Sequence, residues 1–156
     1  EMTIVGLRFF NVYGPGEFYK AKTASMVIQL GHQILSGKAP RLFEGSQKIM
    51  RDFIFIDDVI QANIKACMAS ISGVYNVGTG KPRSFQDIAD ILQQELGTNL
   101  GTEYFPNPYD GYQIFTKADI ISTKSNLNFN PKITLEAGIK AYIPYIRRLH
   151  SKDCYD

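Results

Sequence analysis

Metal-ligating and redox side chains are scarce in this chain: only Cys67, Cys154, His32 and His150 occur among 156 residues. None has a Cys or His neighbour at ligand spacing, so a metal site is not expected, and reduced thiols in a cytoplasm are the default. A surplus of one charge is also missing. The 17 basic and 15 acidic residues are interspersed and leave a net charge of +2, which gives no clustered basic face for nucleic acid. No stretch approaches the roughly 18 apolar residues that span a bilayer, so no membrane partner is expected. The opening EMTIVGLRFF lacks the basic region and cleavage site of a signal peptide. It runs almost at once into a buried-type strand, so the chain is expected to be a fragment of something longer. Two glycine signatures are absent as well. No G-x-G-x-x-G follows a strand, and Gly78-Thr79-Gly80-Lys81 fails as a phosphate loop because Tyr75 and Pro82 hold the places of its first glycine and its Ser/Thr. What remains, 44% hydrophobic and 21% charged, is an ordinary globular composition with material for one substantial core.

Hydrophobic periodicity supplies alternating elements. Thr3 to Phe10 reads as a strand buried on both faces, and Thr23 to Leu35 as a helix with Met26, Leu30 and Ile34 on one stripe. Arg41 to Phe43 is a short strand before the turn Glu44-Gly45-Ser46. Arg51 to Ile56 is another strand, and Asp57 is expected to cap a helix to about Ala69. Val74 to Val77 closes a βαβ unit. Ser84 with Asp87 opens a further helix that Gly97 stops. Thr116 with Asp119 is expected to cap a short helix to about Lys124, and Thr134 the last one, which contains Pro144. This alternation favours an α/β fold: the C-terminal part of a Rossmann-type parallel sheet, residues 1–22 and 51–80, plus a smaller α+β lobe, residues 23–50 and 81–150, with a tail at 151–156.

Four stretches offer chemistry. Asn11, Tyr13 and Lys20 follow the opening strand, where an open α/β sheet places its ligands. Asn11 can read a hydroxyl or a ribose, and Lys20 can serve as an acid–base group if partial burial brings its pKa toward neutrality; the alternative is a turn asparagine and a solvated lysine. Arg51 with Phe43, Glu44, Gly45 and Ser46 suits a phosphate, or else Arg51 pairs with Asp52 or Glu44 on the surface. Gly78 to Pro82 reads as a strand-to-loop turn. Tyr109 to Gln113 could line a sugar or base site or anchor a loop.

Taken together, LRFFNVYGP, RDFIFIDDV, YNVGTG and SFQDIA resemble the C-terminal half of the extended short-chain dehydrogenase family, the nucleotide-sugar epimerases and dehydratases. GPGEFYK, LFEGS…RDF and GYQIFTKADI are most similar to its ADP-heptose branch, over about residues 4–148. The resemblance implies NADP, with NAD as the other option, in a Rossmann domain and a nucleotide-sugar, ADP-heptose or another, in the smaller lobe of a full-length homo-oligomer. It implies inversion of a carbinol carbon through a ketone, with Lys20 as one acid–base group and a contact to the cofactor. Val12 matches a cofactor-contacting backbone. Asn11, Phe43, Glu44, Gly45, Ser46, Arg51 and Tyr112 match substrate contacts, Arg51 near the diphosphate. Lys22 and Gln29 stand where the family usually has a small polar residue and a histidine. That leaves the sugar open, and the choice between Lys20 and Lys22, although alignment favours Lys20. The partner Tyr-x-x-x-Lys is absent, so a fragment is expected to be inactive. The alternatives are another epimerase or dehydratase, such as a UDP-hexose 4-epimerase, and a non-catalytic sugar-nucleotide-binding module.

Overall fold

The fold, a computed structural model, is described for residues 2–151; the tail beyond Ser151, including Cys154, lies outside the described residues. Strand β1 (Val5–Phe9) pairs in parallel with β6 (Gly73–Val77), and after Phe10 the same chain continues as β2 (Asn11–Tyr13), parallel to β5 (Phe53–Phe55). The change of neighbour happens in one step: Phe10 N–H bonds the Val77 carbonyl, and Asn11 N–H the Asp52 carbonyl. Among the described residues β1 pairs with β6 alone, and the expected burial on both faces does not occur: no residue of β1 is fully buried, and Phe9 remains 49% exposed. Helix α2 (Ile56–Cys67) connects β5 to β6, the βαβ unit that the periodicity predicts.

The second group of elements packs around three helices, α1 (Met26–Leu35), α3 (Phe85–Leu96) and α5 (Leu135–His150). Val27, Leu30, Ile88, Leu92, Ile139 and Ile146 interlock in one core, which also takes Tyr13, Phe53 and Phe55 from the strand ends. A smaller core beneath α2 gathers Ile54, Val59, Tyr75 and Val77 with Leu127 and Phe129, at the end of α4 (Ile121–Leu127) and just beyond it. Short pairs close the lobe: β3 (Arg41–Phe43) runs parallel to β8 (Glu103–Phe105), and β4 (Met50–Arg51) antiparallel to β7 (Arg83–Ser84).

The capping box of Ser84 and Asp87, the left-handed Gly97 and the Thr134 cap form as their sequence signals predict. Three expectations need correction. The segment before α1 is a 3-10 turn over Phe18–Thr23, and α1 itself starts at Met26, after Ser25. Helix α2 starts at Ile56 without a side-chain cap, and Asp58 turns away from it to accept the N–H groups of Lys132 and Ile133 at 2.9–3.1 Å. Thr116 opens no helix. Its hydroxyl accepts the Asp52 N–H at 3.3 Å, while α4 starts after Ile120 and Asp119 Oδ1 accepts the Ile121 N–H at 3.0 Å.

Candidate functional site

The carboxyl end of β2 leads into Gly14-Pro15-Gly16-Glu17. Gly14 and Gly16 take φ of 136° and 96°, values that favour glycine; Gly14 packs against Ile56, where a Cβ would stand 2.6 Å from Cγ2, and Gly16 leaves the backbone bare. Val12, Pro15 and Lys20 line a concavity of about 240 Å³ here. Tyr13 borders this concavity, but its side chain is turned into the core. It is 1% exposed, its hydroxyl donates to the Leu135 carbonyl at 3.3 Å, and burial pushes its phenol well above the ordinary range. Lys20, Lys22 and Asn11 are exposed in this chain, so the burial that would tune Lys20 is not supplied by these residues.

A second cavity of about 280 Å³ opens between α1 and the β3–β8 pair. Gln29 and Gln33 enter it from successive turns of α1, Phe43 from the end of β3, Ser46 from the turn after it, and Tyr112 from the loop after β8. The aromatic side is built edge to face, with Phe43 centred 5.0 Å from Phe105 and 5.5 Å from Tyr112. The turn from Phe43 to Lys48 is closed by Ser46 N–H on the Phe43 carbonyl and Lys48 N–H on Gly45, with Gly45 at φ 77°. Glu44 and Gly45 face solvent. Ser46 points inward, 1% exposed, and among the described residues its Oγ has no hydrogen-bond partner. A buried hydroxyl in that state costs free energy until something bonds it.

Arg51, 7% exposed, does not line this cavity but packs behind two residues that do, with its guanidinium 5.3 Å from the Tyr112 ring centre and 5.8 Å from that of Phe85. It pairs with neither Asp52 nor Glu44; it donates instead to the carbonyls of Met50 and Gln113. Gln29 spends its amide nitrogen on the carbonyls of Ala24 at 2.6 Å and Lys22 at 3.4 Å. Residues distant in sequence thus converge in two places. Val12 and Lys20 share the smaller concavity; Gln29, Phe43, Ser46 and Tyr112 share the larger, with Arg51 stacked beside it. Lys22 adjoins Gln29 on the outer side of α1, and Asn11 lines neither cavity.

Sequence reasoning overlooked two buried carboxylates. Asp52 is 0% exposed and accepts four bonds of 2.6–2.9 Å, from Thr79 N–H and hydroxyl, Gly80 N–H and Ala118 N–H. This explains Gly78-Thr79-Gly80, which do form a turn: a Cβ on Gly78 would stand 2.6 Å from Ala118 Cβ and 3.1 Å from an Asp52 oxygen. Glu17 binds the turn that carries Lys20. No local pattern marks either carboxylate as buried. Gln33 was findable, because it lies four residues after Gln29 on the same helix face.

Among the described residues no group of three or more His, Cys, Asp or Glu side chains could hold a metal ion, and no helix is long and apolar enough to cross a membrane. Residues 1–78 match the NAD dependent epimerase/dehydratase family. Among solved structures, the ADP-L-glycero-D-manno-heptose-6-epimerase of Helicobacter pylori is 48% identical, with a TM-score of 0.86 over 93% of this chain and 45% of that one. The UDP-glucose 4-epimerase of Thermotoga maritima, solved with UDP-glucose, is 30% identical, with a TM-score of 0.83 over 92% of this chain and 46% of its own. The UDP-glucuronic acid 4-epimerase of Bacillus cereus, solved with NAD, is 28% identical, with a TM-score of 0.79 over 96% and 46%. The chain spans a little under half the length of each.

Proposed function

Since the chain belongs to the NAD dependent epimerase/dehydratase family, we propose that it is the C-terminal portion of an NADP-dependent ADP-glycero-manno-heptose 6-epimerase, a cytoplasmic enzyme of lipopolysaccharide inner-core precursor synthesis. The observation that carries this reading is the larger cavity. Gln29, Phe43, Ser46 and Tyr112 come from three separate elements and meet around it, and each was assigned to the substrate on the sequence alone. At about 280 Å³ it has room for part of a nucleotide-sugar rather than the whole.

The residues present fit one wall of a dinucleotide site. Val12 and the bare backbone of Gly16 line one concavity at the carboxyl end of a parallel strand pair, where such cofactors lie. When bound, the nicotinamide supplies reversible hydride acceptance at C6″ of the heptose, giving a ketone that is reduced from the opposite face. The chain's own residues do the rest. Lys20 holds or releases a proton at the C6″ oxygen on one face. Asn11 bonds a sugar hydroxyl. Arg51 has five N–H donors; two go to carbonyls, and the others meet the diphosphate while Tyr112 fixes the guanidinium plane. Ser46 Oγ takes a polar atom of the nucleotide-sugar. The Gly-rich loop and the Tyr-x-x-x-Lys that supply the opposite wall are not in this sequence, and the 156 residues alone are expected to show no turnover.

The test uses the full-length enzyme with NADP, following inversion at C6″ of ADP-heptose by NMR and offering UDP-glucose in parallel. Interconversion of the two ADP-heptose epimers is expected. Turnover of UDP-glucose with none of ADP-heptose would favour the UDP-hexose 4-epimerase reading, which the 30% identity to such an enzyme supports.

A further inference from the structure

We infer that Glu17 is a positioning residue for Lys20, an inference that rests on the proposed acid–base role of that lysine. Glu17 is 5% exposed. Its Oε1 accepts Gly14 N–H at 3.3 Å and the Ser25 hydroxyl at 2.7 Å, and its Oε2 accepts Ser25 N–H at 2.6 Å. One carboxylate therefore joins the turn after β2 to the residue that starts α1. The 3-10 turn carrying Lys20 is the segment between those two anchors. The Glu17 carbonyl also accepts Lys20 N–H at 3.0 Å, and the Lys20 carbonyl accepts the Thr23 hydroxyl at 2.7 Å.

The next residue, Ala21, is held at φ 46° and ψ −120°, a conformation that side chains with a Cβ rarely adopt. Such backbone strain persists only where the surroundings over-determine it. The Glu17 bracket is that surrounding. Among the described residues nothing bonds the Lys20 ammonium, so the side chain takes its origin and direction from the backbone alone. A loop that merely needed closing could use apolar packing. A buried carboxylate spending three bonds on it fixes geometry, and an acid–base group displaced by about 1 Å can lose on the order of 100-fold in rate.

In the full-length enzyme, E17Q keeps the volume but replaces one acceptor oxygen by a donor. We expect kcat to fall about tenfold or more with KM within about twofold, and K20M to lower kcat by roughly 100-fold. In a K20M background E17Q should add less than about a twofold loss, because it acts through the lysine. An equal loss in both backgrounds, or no loss in either, overturns the inference. Amide exchange separates it from the reading beneath: E17Q should accelerate exchange at Lys20 roughly tenfold while Leu30 and Ile34 stay protected. Unchanged exchange refutes the bracket whatever Lys20 does. Accelerated exchange with a fully active K20M refutes the catalytic role of Lys20 alone. If E17Q does not fold, S25A, which removes only the hydroxyl bond, should still lower kcat about threefold with KM unchanged; unaltered kcat in S25A counts against Glu17.

Discussion

Replacing Asp52 by Asn should cost the fold more than any other single-atom exchange near the site. The carboxylate is 0% exposed, with Thr79 N–H and hydroxyl on Oδ1 at 2.7 and 2.6 Å and the N–H groups of Gly80 and Ala118 on Oδ2 at 2.8 and 2.9 Å. Asparagine keeps one acceptor. Its better orientation turns the amide nitrogen toward Thr79, whose hydroxyl can reverse and accept, but whose N–H cannot. One charge-assisted bond worth about 1.5–3 kcal/mol is lost, and a buried N–H is left unsatisfied at a further ~1–3 kcal/mol. The remaining bonds weaken as the charge disappears. The sum is roughly 2.5–6 kcal/mol, a large fraction of a typical stability of about 5–15 kcal/mol. Asp52→Ala, which strands all four donors, should not fold. Urea unfolding of wild type, D52N and T79V measures the series; T79V removes only the hydroxyl and should cost ~1 kcal/mol. A D52N loss below about 1 kcal/mol would refute the account of Asp52 as the tie between β5 and the 79–80 and 118 segments, since it would mean that water or relaxation satisfies those donors.

Ser46→Ala removes a buried hydroxyl that bonds nothing here, so thermal stability should stay within about 0.5 kcal/mol or rise, while calorimetry shows nucleotide-sugar affinity falling about fivefold or more in the full-length enzyme; unchanged affinity would remove Ser46 from the site. Gly138→Ala should destabilise by about 2–3 kcal/mol, because its Cβ would stand 2.0 Å from Tyr13 Oη, and Tyr13→Phe should recover part of that loss; a variant as stable as wild type would contradict the close approach. His32, 3.2 Å from His150 between ring nitrogens, has its pKa pushed down to about 4, by burial first and by the neighbouring imidazole second. The unfolded chain therefore takes up a proton near pH 6.5 that the folded chain takes up only near pH 4. Stability is greatest above pH 6.5 and falls as the pH drops from 6.5 to 4. Since His32 is only half-buried, the loss should be about 1–2 kcal/mol, and His32→Gln should flatten the melting temperature across that window.

How much of this was legible in the sequence follows from the range of each interaction. Ser84 and Asp87 lie three residues apart and cap their helix from within one turn, so the signal and the structure are the same object. The stripe of α5 and the terminator Gly97 are legible for the same reason. Asp57 misled, because acidic residues at a helix start carry the same local signal whether or not they cap. What decides α2 is Asp58, which spends its carboxylate on Lys132 and Ile133, 74 and 75 residues away. Asp52 and Glu17 escaped notice on identical grounds: apart from the Thr79 and Ser25 hydroxyls, their partners are backbone N–H groups, which nearly every position carries and which therefore leave no residue-type signature. Resemblance reached Gln29, Phe43, Ser46 and Tyr112, which the fold gathers around one cavity. It could not supply the carboxylates that tie the 79–80 and 118 segments to Asp52 and the turn after β2 to Ser25. In this chain the residues that line the cavity are readable one by one, while the buried carboxylates that tie its segments together become visible only once the backbone has closed around them.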